Sequence, residues 1–520
     1  MPFSSDSGKS WIVNQVRTLS PKSVLDIGAG SGTYAKLFKA QWPGAKWVAV
    51  EVWPKYIEQY KLGDLYDEVY ATDVREWRTD KTYDIAFVGD ILEHMTAEDA
   101  AKVLEYVRKI AKYVFVSIPI GYYPQGEYEG NPYEIHVKDD WDDASVRRIF
   151  GEPSASTIDN EIGVYLYRDR LNITVYAISK NEAQFVERFC LAAKDADKII
   201  VADTGSNDGT QDLLRQHGAI VHEISIKPWR FDDARNAALA LLPADTDICV
   251  SLDLDEVLQP GWREQIERAW VPGTTRLRYL FDWGAGIAFY YEKIHARYGY
   301  RWHHPCHEYP VPDRIVEVWA QTDQLLVVHQ PDPTKSRGQY LDLLRISIEE
   351  DPSCPRNAFY YARELSFHRQ WREAITQAER YLALPRATWA NERCYAMRVI
   401  LRSYAELGEN ALAMQWARRA TSEAPDTREP WCELAMLCYR AQRWAECFGA
   451  AITALDIKDR AKVYTVDPEV WGAQPHDLAA VAAWNLGLND VALTYAKQAL
   501  GFAPDDDRLK KNVELMSKQA

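Results

Sequence analysis

Short apolar runs separated by polar or glycine-rich turns fill the first part of the chain, and a helical period replaces them towards its end. The runs KSVLDIG, KWVAVEV, YDIAFVG, YVFVSIPIG, KIIVA and DICVSL are rich in Ile and Val and end in polar residues or glycine. Apolar runs of this kind predict strands buried on both faces of a largely parallel sheet. In open α/β sheets ligands lie beyond the carboxyl ends of such strands, so the residues that close each run carry the chemistry. From Gln339 onward apolar residues recur at i, i+3, i+4 and i+7, the period of an amphipathic helix. The stretch NAFYYARELSFHRQWREAITQAERYLAL breaks near Arg369 to Trp371 and resumes as a second helix. Similar pairs recur as CYAMRVILRSYAELGENALAMQWARRATSEAPD, as EPWCELAMLCYRAQRWAECFGAAITALDI and as DLAAVAAWNLGLNDVALTYAKQALGFAPDD, with an insertion rich in Pro and Asp before the last. Helix pairs that bury one another's faces make a short all-α solenoid, and its Trp and Tyr residues are assigned to the core in preference to a sugar-stacking surface.

A chain of 520 residues exceeds the size at which one core keeps growing, so several domains are expected. With 47% hydrophobic and 26% charged residues, the composition is that of ordinary globular domains and not of a disordered or membrane-embedded chain. No apolar run is long enough to span a bilayer, and no N-terminal stretch resembles a signal peptide. The eight cysteines form no CxxC or paired framework, which favours reduced thiols and a cytoplasmic location. A formal charge of −15 argues against broad binding to nucleic-acid phosphates. Modified DNA stays a minority acceptor that needs a locally basic groove. The lack of a basic amphipathic anchor weighs against lipid-linked acceptors.

The richest chemistry lies between Val175 and Glu256, where Asp203, Asp253 and Asp255 close apolar runs. A diphosphate ligand calls for a hard divalent cation held by oxygen ligands, and carboxylates on a short turn supply them. The turn Thr204 to Gly209 offers left-handed positions and backbone N–H groups for close approach to a nucleotide. These residues resemble the family 2 glycosyltransferases of the GT-A fold over roughly 171–338. The resemblance implies that Asp203 contacts the nucleobase and that Ala234, Arg235 and Asn236 lie along the nucleotide. It also implies that Asp253 meets the ribose or the metal's waters while Asp255 ligates Mn²⁺ or Mg²⁺. Further along, GYRWHHPCHEYPV makes Glu308 the base of an inverting transfer. The resemblance adds His329 to the metal shell, and Lys335 or Arg337 neutralises the leaving diphosphate. A zinc site at His303, His304, Cys306 and His307 is the alternative for that segment, although adjacent ligands fit tetrahedral spacing poorly. The plain alternative for Glu308 is a salt bridge in a half-buried strand.

Near the start, KSVLDIGAGSGTYAKLF is a buried strand, a G-x-G-x-G turn at Gly28, Gly30 and Gly32, and then a helix. This spacing is not the G-x-G-x-x-G of dinucleotide enzymes. Asp26 sits at the end of the strand, and the next strand ends at Glu51, where a carboxylate accepts both hydroxyls of a ribose. The run EVYATDV sets Asp73 where an adenine amino group would lie. The succession resembles class I S-adenosylmethionine-dependent methyltransferases over roughly 1–168, with IGVYLYR completing a final strand pair. Asp90, Glu93 and His94 follow the fourth strand in a D-x-L-E-H pattern that the resemblance sets on the acceptor side. Helix-start carboxylates at a favourable dipole end explain the same residues equally well. His136 is a weaker acceptor-side residue, more often an ordinary half-buried histidine.

The helix pairs resemble tetratricopeptide repeats in length, small-residue content and A-P endings. The expectation is thus an α/β multidomain chain: a Rossmann-like methyltransferase domain at 1–168, a GT-A nucleotide-sugar domain at 171–338 and a tetratricopeptide-like solenoid at 339–520. The implied cofactors are a divalent cation, S-adenosylmethionine and a nucleotide sugar, most commonly a UDP-sugar. The implied function is a bifunctional transferase of bacterial or phage type, acting on a protein, glycan, small-molecule or modified-DNA acceptor. The repeats would present that acceptor or pair with a second copy. Two other readings stay open: a glycosyltransferase with a methyltransferase-like binding module, and a repeat scaffold with vestigial enzyme folds.

Overall fold

The computed structural model describes residues 4–16, 19–284, 286–332 and 338–518. The chain divides into two compact units, one of Met1–Asn172 with Arg263–Leu277 and Glu317–Ala320, the other of Ile173–Trp262, Arg278–Val316 and Gln321–Ala520.

The first unit is built on a seven-stranded sheet, which orders its strands as Glu68–Ala71, Lys46–Glu51, Ser23–Ile27, Tyr83–Gly89, Ala111–Pro119, Ile162–Arg168 and Ala155–Asp159. The first five are parallel, and the last two join antiparallel. This is the Rossmann-like methyltransferase fold, and the apolar runs of the sequence are its strands. Helices cover both faces of the sheet. On one side Tyr34 and Phe38 stack on Phe87, with Trp42 and Trp47 beyond. On the other, Ala97–Ile110 buries Ala100, Val103, Leu104 and Val107, an i, i+3, i+4, i+7 stripe, and Thr96 caps its first turn by accepting from the Asp99 amide. The chain reverses order between the first and fourth strands, and Asp26, Gly28 and Asp90 all lie there at carboxyl ends.

The second unit holds the helical repeats and all of an eight-stranded mixed sheet except the first two residues of two of its strands. The sheet runs Ile220–Glu223, Lys198–Asp203, Ile173–Ser179, Ile248–Ser251, Ile287–Ala296, Arg276–Gly284, Trp319–His329 and Glu256–Leu258. Its first four strands are parallel, and Ile287–Ala296 then pairs antiparallel with Ile248–Ser251. This is the GT-A arrangement. A short ribbon, Tyr300–His303 with Tyr309–Pro312, stands beside it.

Helix pairs follow, among them Pro355–Phe367 with Trp371–Ala383 and Ala390–Glu406 with Asn410–Glu423. Arg369 adopts φ 56° at the first break, where the sequence pattern changes phase. Two helices lie outside the paired pattern, Tyr340–Glu350 before it and Asp507–Ser517 after it. Tyr381 is fully buried, as expected of solenoid core, whereas Trp389 is exposed. The insertion rich in Pro and Asp folds back on the repeats, with Asp467 ion-paired to Arg398 and Arg402. Tyr464 donates a hydrogen bond to Glu392 and lies among Phe289, Phe359 and Tyr360. Aromatic contacts thus connect the sheet to the solenoid. Among the described residues no helix is long and apolar enough to cross a membrane.

Candidate active sites

In the second unit the acidic residues stand where strand ends place them. Asp203 closes the Lys198–Asp203 strand and is fully buried. Its carboxylate accepts from the amides of Gly205 and Ser206 at 3.0 and 2.8 Å, from the Ser179 and Ser206 hydroxyls at 2.7 and 2.5 Å, and from Gln211 at 2.7 Å. Burial opposes its ionisation, but these donors outweigh burial and hold its pKa below the usual carboxylate range. The turn's amides expected to face a nucleotide are therefore directed at Asp203, and the Asn207 amide goes to Asn181.

Arg235, buried on the Phe231–Ala240 helix, links two of the expected residues. Its Nη2 donates to Asp253 Oδ1 at 2.6 Å and its Nε to Glu308 Oε1 at 2.5 Å, with the guanidinium over the Trp302 ring. Asp253 receives Lys293 Nζ at 3.1 Å on its other oxygen, and Lys293 also reaches Glu256 at 2.8 Å. Burial opposes ionisation of Asp253, yet the two cations hold its pKa far below the usual range. Burial raises Glu256 to about 7 despite the pull of Lys293. The Asn236 amide brackets the Trp302 backbone, donating to its carbonyl at 2.8 Å and accepting its N–H at 2.9 Å. A side-chain amide paired on both sides with backbone fixes the helix to the ribbon that carries Glu308.

Asp255 and His329, distant in sequence, meet because Glu256–Leu258 pairs antiparallel with the end of Trp319–His329. His329 Nε2 lies 3.5 Å from Asp255 Oδ2, and burial's tendency to lower the imidazole pKa is outweighed by Asp255, which raises it. The ring stacks on the exposed Trp283 with centroids 4.3 Å apart, and its buried Nδ1 has no hydrogen-bond partner among the described residues. A carboxylate beside an imidazole with an unpartnered nitrogen suits a divalent cation such as Mn²⁺. Lys335 and Arg337 lie outside the described residues. Of the zinc alternative, Cys306 is buried and His307 stacks on Tyr360 at 4.0 Å. Among the described residues these side chains form no cluster with metal-ligand spacing.

In the first unit Gly28, Gly30 and Gly32 all have positive φ, at 71°, 50° and 76°. A Cβ on Gly28 would stand 2.1 Å from Ile91 Cγ2, so the turn passes against the residues that follow the fourth strand. Glu51 accepts from the Gly30 amide at 2.8 Å and the Trp53 amide at 2.9 Å. Burial nevertheless raises its pKa. Asp26 accepts from Tyr66 at 2.5 Å, and burial raises its carboxyl to about 7. A buried acid of this kind between a glycine-rich turn and Glu51 fits the ammonium and ribose of an adenosyl amino acid. Asp73 lies just past its strand and is paired with Arg75 at 2.5 Å. Asp90, at φ 52°, accepts from Ser117 at 2.8 Å and from Ser4 at 2.5 Å.

Sequence reasoning missed Lys9, a buried cation that donates to Ser4 at 2.8 Å and lies over the Tyr34 ring. Lys293, Glu256 and Trp283 were missed as well. No motif marks them, because they reach their sites through strand pairing. Glu93, His94 and His136 come together, their ligand-capable atoms all within 4.8 Å of one another.

Residues 24–113 match the family model described as a methyltransferase domain, and residues 174–273 match glycosyl transferase family 2. Glu308, His329 and His136 lie beyond the matched spans. No curated protein matches the chain. Among solved structures, one of MamA from Desulfovibrio magneticus RS-1 is 14% identical, covers 33% of this chain and 87% of its own, and gives a TM-score of 0.27. YrrB, a TPR protein with an unusual peptide-binding site, is 16% identical over 34% of this chain and 83% of its own, at a TM-score of 0.27. A putative O-methyltransferase from Nostoc punctiforme PCC 73102 is 17% identical over 30% of this chain and 54% of its own, at a TM-score of 0.25.

Proposed function

We propose that the chain is a bifunctional transferase, in which the second unit transfers a sugar from a nucleotide donor and the first methylates that sugar or a neighbouring group on the same acceptor. The observation that carries this reading is the relay Lys293–Asp253–Arg235–Glu308, with its two cations buried, beside the Asp255–His329 pair at the carboxyl ends of the parallel strands. Asp255 and His329 hold the divalent cation, which when bound supplies positive charge opposite the donor diphosphate. Arg235 fixes both Asp253 and Glu308, so the residue facing the donor and the residue facing the acceptor share one rigid support. Glu308 takes the acceptor hydroxyl's proton as that oxygen bonds to the anomeric carbon and the bond to the diphosphate breaks, with inversion. Trp283 offers an aromatic face to the sugar. Asp203 stands at the nucleobase end, and UDP-sugars are the donors of first choice.

In the first unit Glu51 receives the ribose, Asp73 stands towards the adenine, and Asp26 receives the ammonium of S-adenosylmethionine. Methyl transfer then depends chiefly on positioning, since the sulfonium is already activated. Two activities on one chain raise the effective concentration of the shared acceptor. The repeats present that acceptor or pair with a second copy, and the setting is the cytoplasm of a bacterium or of a phage-infected cell.

A thermal-shift screen tests the reading, because a ligand bound only by the native state raises the melting temperature. Stabilisation by a nucleotide sugar with Mn²⁺ and, separately, by S-adenosylmethionine is the expected result. A response to the nucleotide sugar alone leaves a glycosyltransferase with a methyltransferase-like module, and silence to both leaves a scaffold.

A further inference from the structure

We propose that Glu93, His94 and His136 form a binding site for one divalent transition-metal ion, which holds and polarises the hydroxyl that the first unit methylates. The second half of this statement rests on the methyl-transfer reading, whereas the metal site itself does not.

Glu93 and His94 share a single 3-10 turn after the Tyr83–Gly89 strand, and His136 arrives from the loop beyond Pro132–Glu134. The amides of Val137 and Lys138 both donate to the Glu93 carbonyl, at 2.9 and 3.0 Å, and so tie the two segments together beside the cluster. Each imidazole is oriented through one nitrogen. His94 Nδ1 lies 3.2 Å from the Ile135 carbonyl, and His136 Nδ1 lies 2.5 Å from the Tyr123 carbonyl. A protonated Nδ1 donating to a carbonyl leaves Nε2 with its lone pair, the arrangement by which protein frames prepare histidines for metal. The two rings meet edge to face with centroids 4.9 Å apart.

Glu93 supplies the independent sign of a missing partner. It is 2% exposed, and its Oε2 is buried with no hydrogen-bond partner among the described residues. A buried carboxylate oxygen without a donor is costly, and a cation removes that cost. Ligand atoms at tetrahedral positions on one such ion are about 3.4 Å apart. Atoms within 4.8 Å thus need to close by up to about 1.4 Å, within reach of side-chain rotation.

Two imidazoles and one carboxylate select Zn²⁺, Mn²⁺, Fe²⁺ or Co²⁺ over Mg²⁺ or Ca²⁺ and leave positions open for an exogenous oxygen. The cluster is two residues from Ile91, which abuts the Gly28 turn, so an oxygen held there lies towards the end of the sheet that takes S-adenosylmethionine. Coordination through one lone pair lowers the hydroxyl's pKa, and its proton passes to water. The oxygen then bonds to the methyl carbon as the carbon–sulfur bond breaks, and that bond's electron pair returns to sulfur. The acceptor class is a hydroxylated molecule, a glycosyl unit foremost.

The test uses the full chain with Asp255→Asn and His329→Gln already in place, so that the other cation site does not contribute. After chelation and dialysis, Co²⁺ is titrated while its visible absorption is followed, and bound Zn²⁺ and Mn²⁺ are counted by mass spectrometry. One equivalent with a Co²⁺ spectrum characteristic of nitrogen ligation is expected. Adding His136→Gln is expected to weaken binding at least a hundredfold while the far-ultraviolet spectrum and melting temperature stay within those of a folded chain. Glu93→Gln should weaken binding in the same way. Stoichiometry near zero, or a Co²⁺ spectrum that His136→Gln leaves unchanged, overturns the site. The S-adenosylmethionine thermal shift is recorded in parallel on the same samples. A shift without metal binding rejects the metal site and keeps the methyl-transfer reading. Metal binding without a shift keeps the site and rejects its catalytic use.

Discussion

Lys293→Met removes the charge that sits between Glu256 and Asp253 while keeping most of the side chain's volume. In the native chain Lys293 Nζ is 2.8 Å from Glu256 and 3.1 Å from Asp253, and both Lys293 and Glu256 are buried. Burial opposes the lysine's charge, yet Asp253 and Glu256 hold its pKa well above the usual lysine range, so it stays charged to pH 9 and beyond. Asp253 keeps Arg235 in the variant and loses one charge-assisted hydrogen bond, which costs about 2 kcal/mol at any pH. Glu256 loses the cation that lowers its pKa, so its carboxyl rises from about 7 to a higher value.

A carboxyl raised on folding binds a proton that the unfolded chain releases, so stability falls with pH from its unfolded pKa up to its folded one and then levels off. The native chain levels off near pH 7, whereas the variant keeps falling by about 1.4 kcal/mol per unit above that. The variant's deficit therefore grows from about 2 kcal/mol at pH 6 to about 4 to 5 kcal/mol at pH 9. In melting temperature the growth is roughly 3–4 °C for the second unit's transition. Differential scanning calorimetry of both proteins across this pH range measures it, with Glu256→Gln plus Lys293→Met as the control whose deficit should not change with pH. A deficit that stays constant from pH 6 to pH 9 in the single variant refutes the reasoning.

Glu308→Gln is expected to lower kcat for sugar transfer by about 10² to 10⁴ while donor affinity, read by calorimetric titration, stays within a factor of two or so. Gly28→Ala places a side chain at φ 71° and 2.1 Å from Ile91. Left-handed strain of about 1–2 kcal/mol and overpacking of about 1–3 kcal/mol should lower the first unit's melting temperature and abolish its response to S-adenosylmethionine, with the nucleotide-sugar response intact. Asp26, raised to about 7 by burial, is mostly protonated at pH 6 and mostly ionised at pH 8. S-adenosylmethionine affinity should therefore rise about tenfold between those values, and Asp26→Asn should remove the rise in the same titration. Mn²⁺ stimulation of donor cleavage should disappear in His329→Ala.

Much of both sheets was legible because buried parallel strands show themselves as unbroken Ile- and Val-rich runs, and Asp26, Glu51, Asp203 and Asp253 end those runs. The features that stayed hidden share one cause, a dependence on pairing between distant segments. Lys293 reaches Glu256 from a strand whose sequence carries no motif, whereas Asp255 and His329 were set in one metal shell by the resemblance and lie together through an antiparallel register. The triplet marks Arg235 and Asn236 as residues along the nucleotide, but it does not reveal that Arg235 holds Asp253 and Glu308 or that Asn236 holds the Trp302 backbone. His136 looked unremarkable beside Glu93 and His94 because a loop closure, which no local pattern encodes, brings them together. The helices Tyr340–Glu350 and Asp507–Ser517 flank the repeats and lack the paired pattern by which the others were found.

The most direct test of the central claim is the release of nucleoside diphosphate from a panel of nucleotide sugars by the full chain, with and without Mn²⁺, beside Asp255→Asn. Mn²⁺-dependent release from at least one donor is expected, reduced at least a hundredfold by Asp255→Asn with its fold intact. Release that is absent for every donor, or that Asp255→Asn leaves unchanged, would contradict the claim.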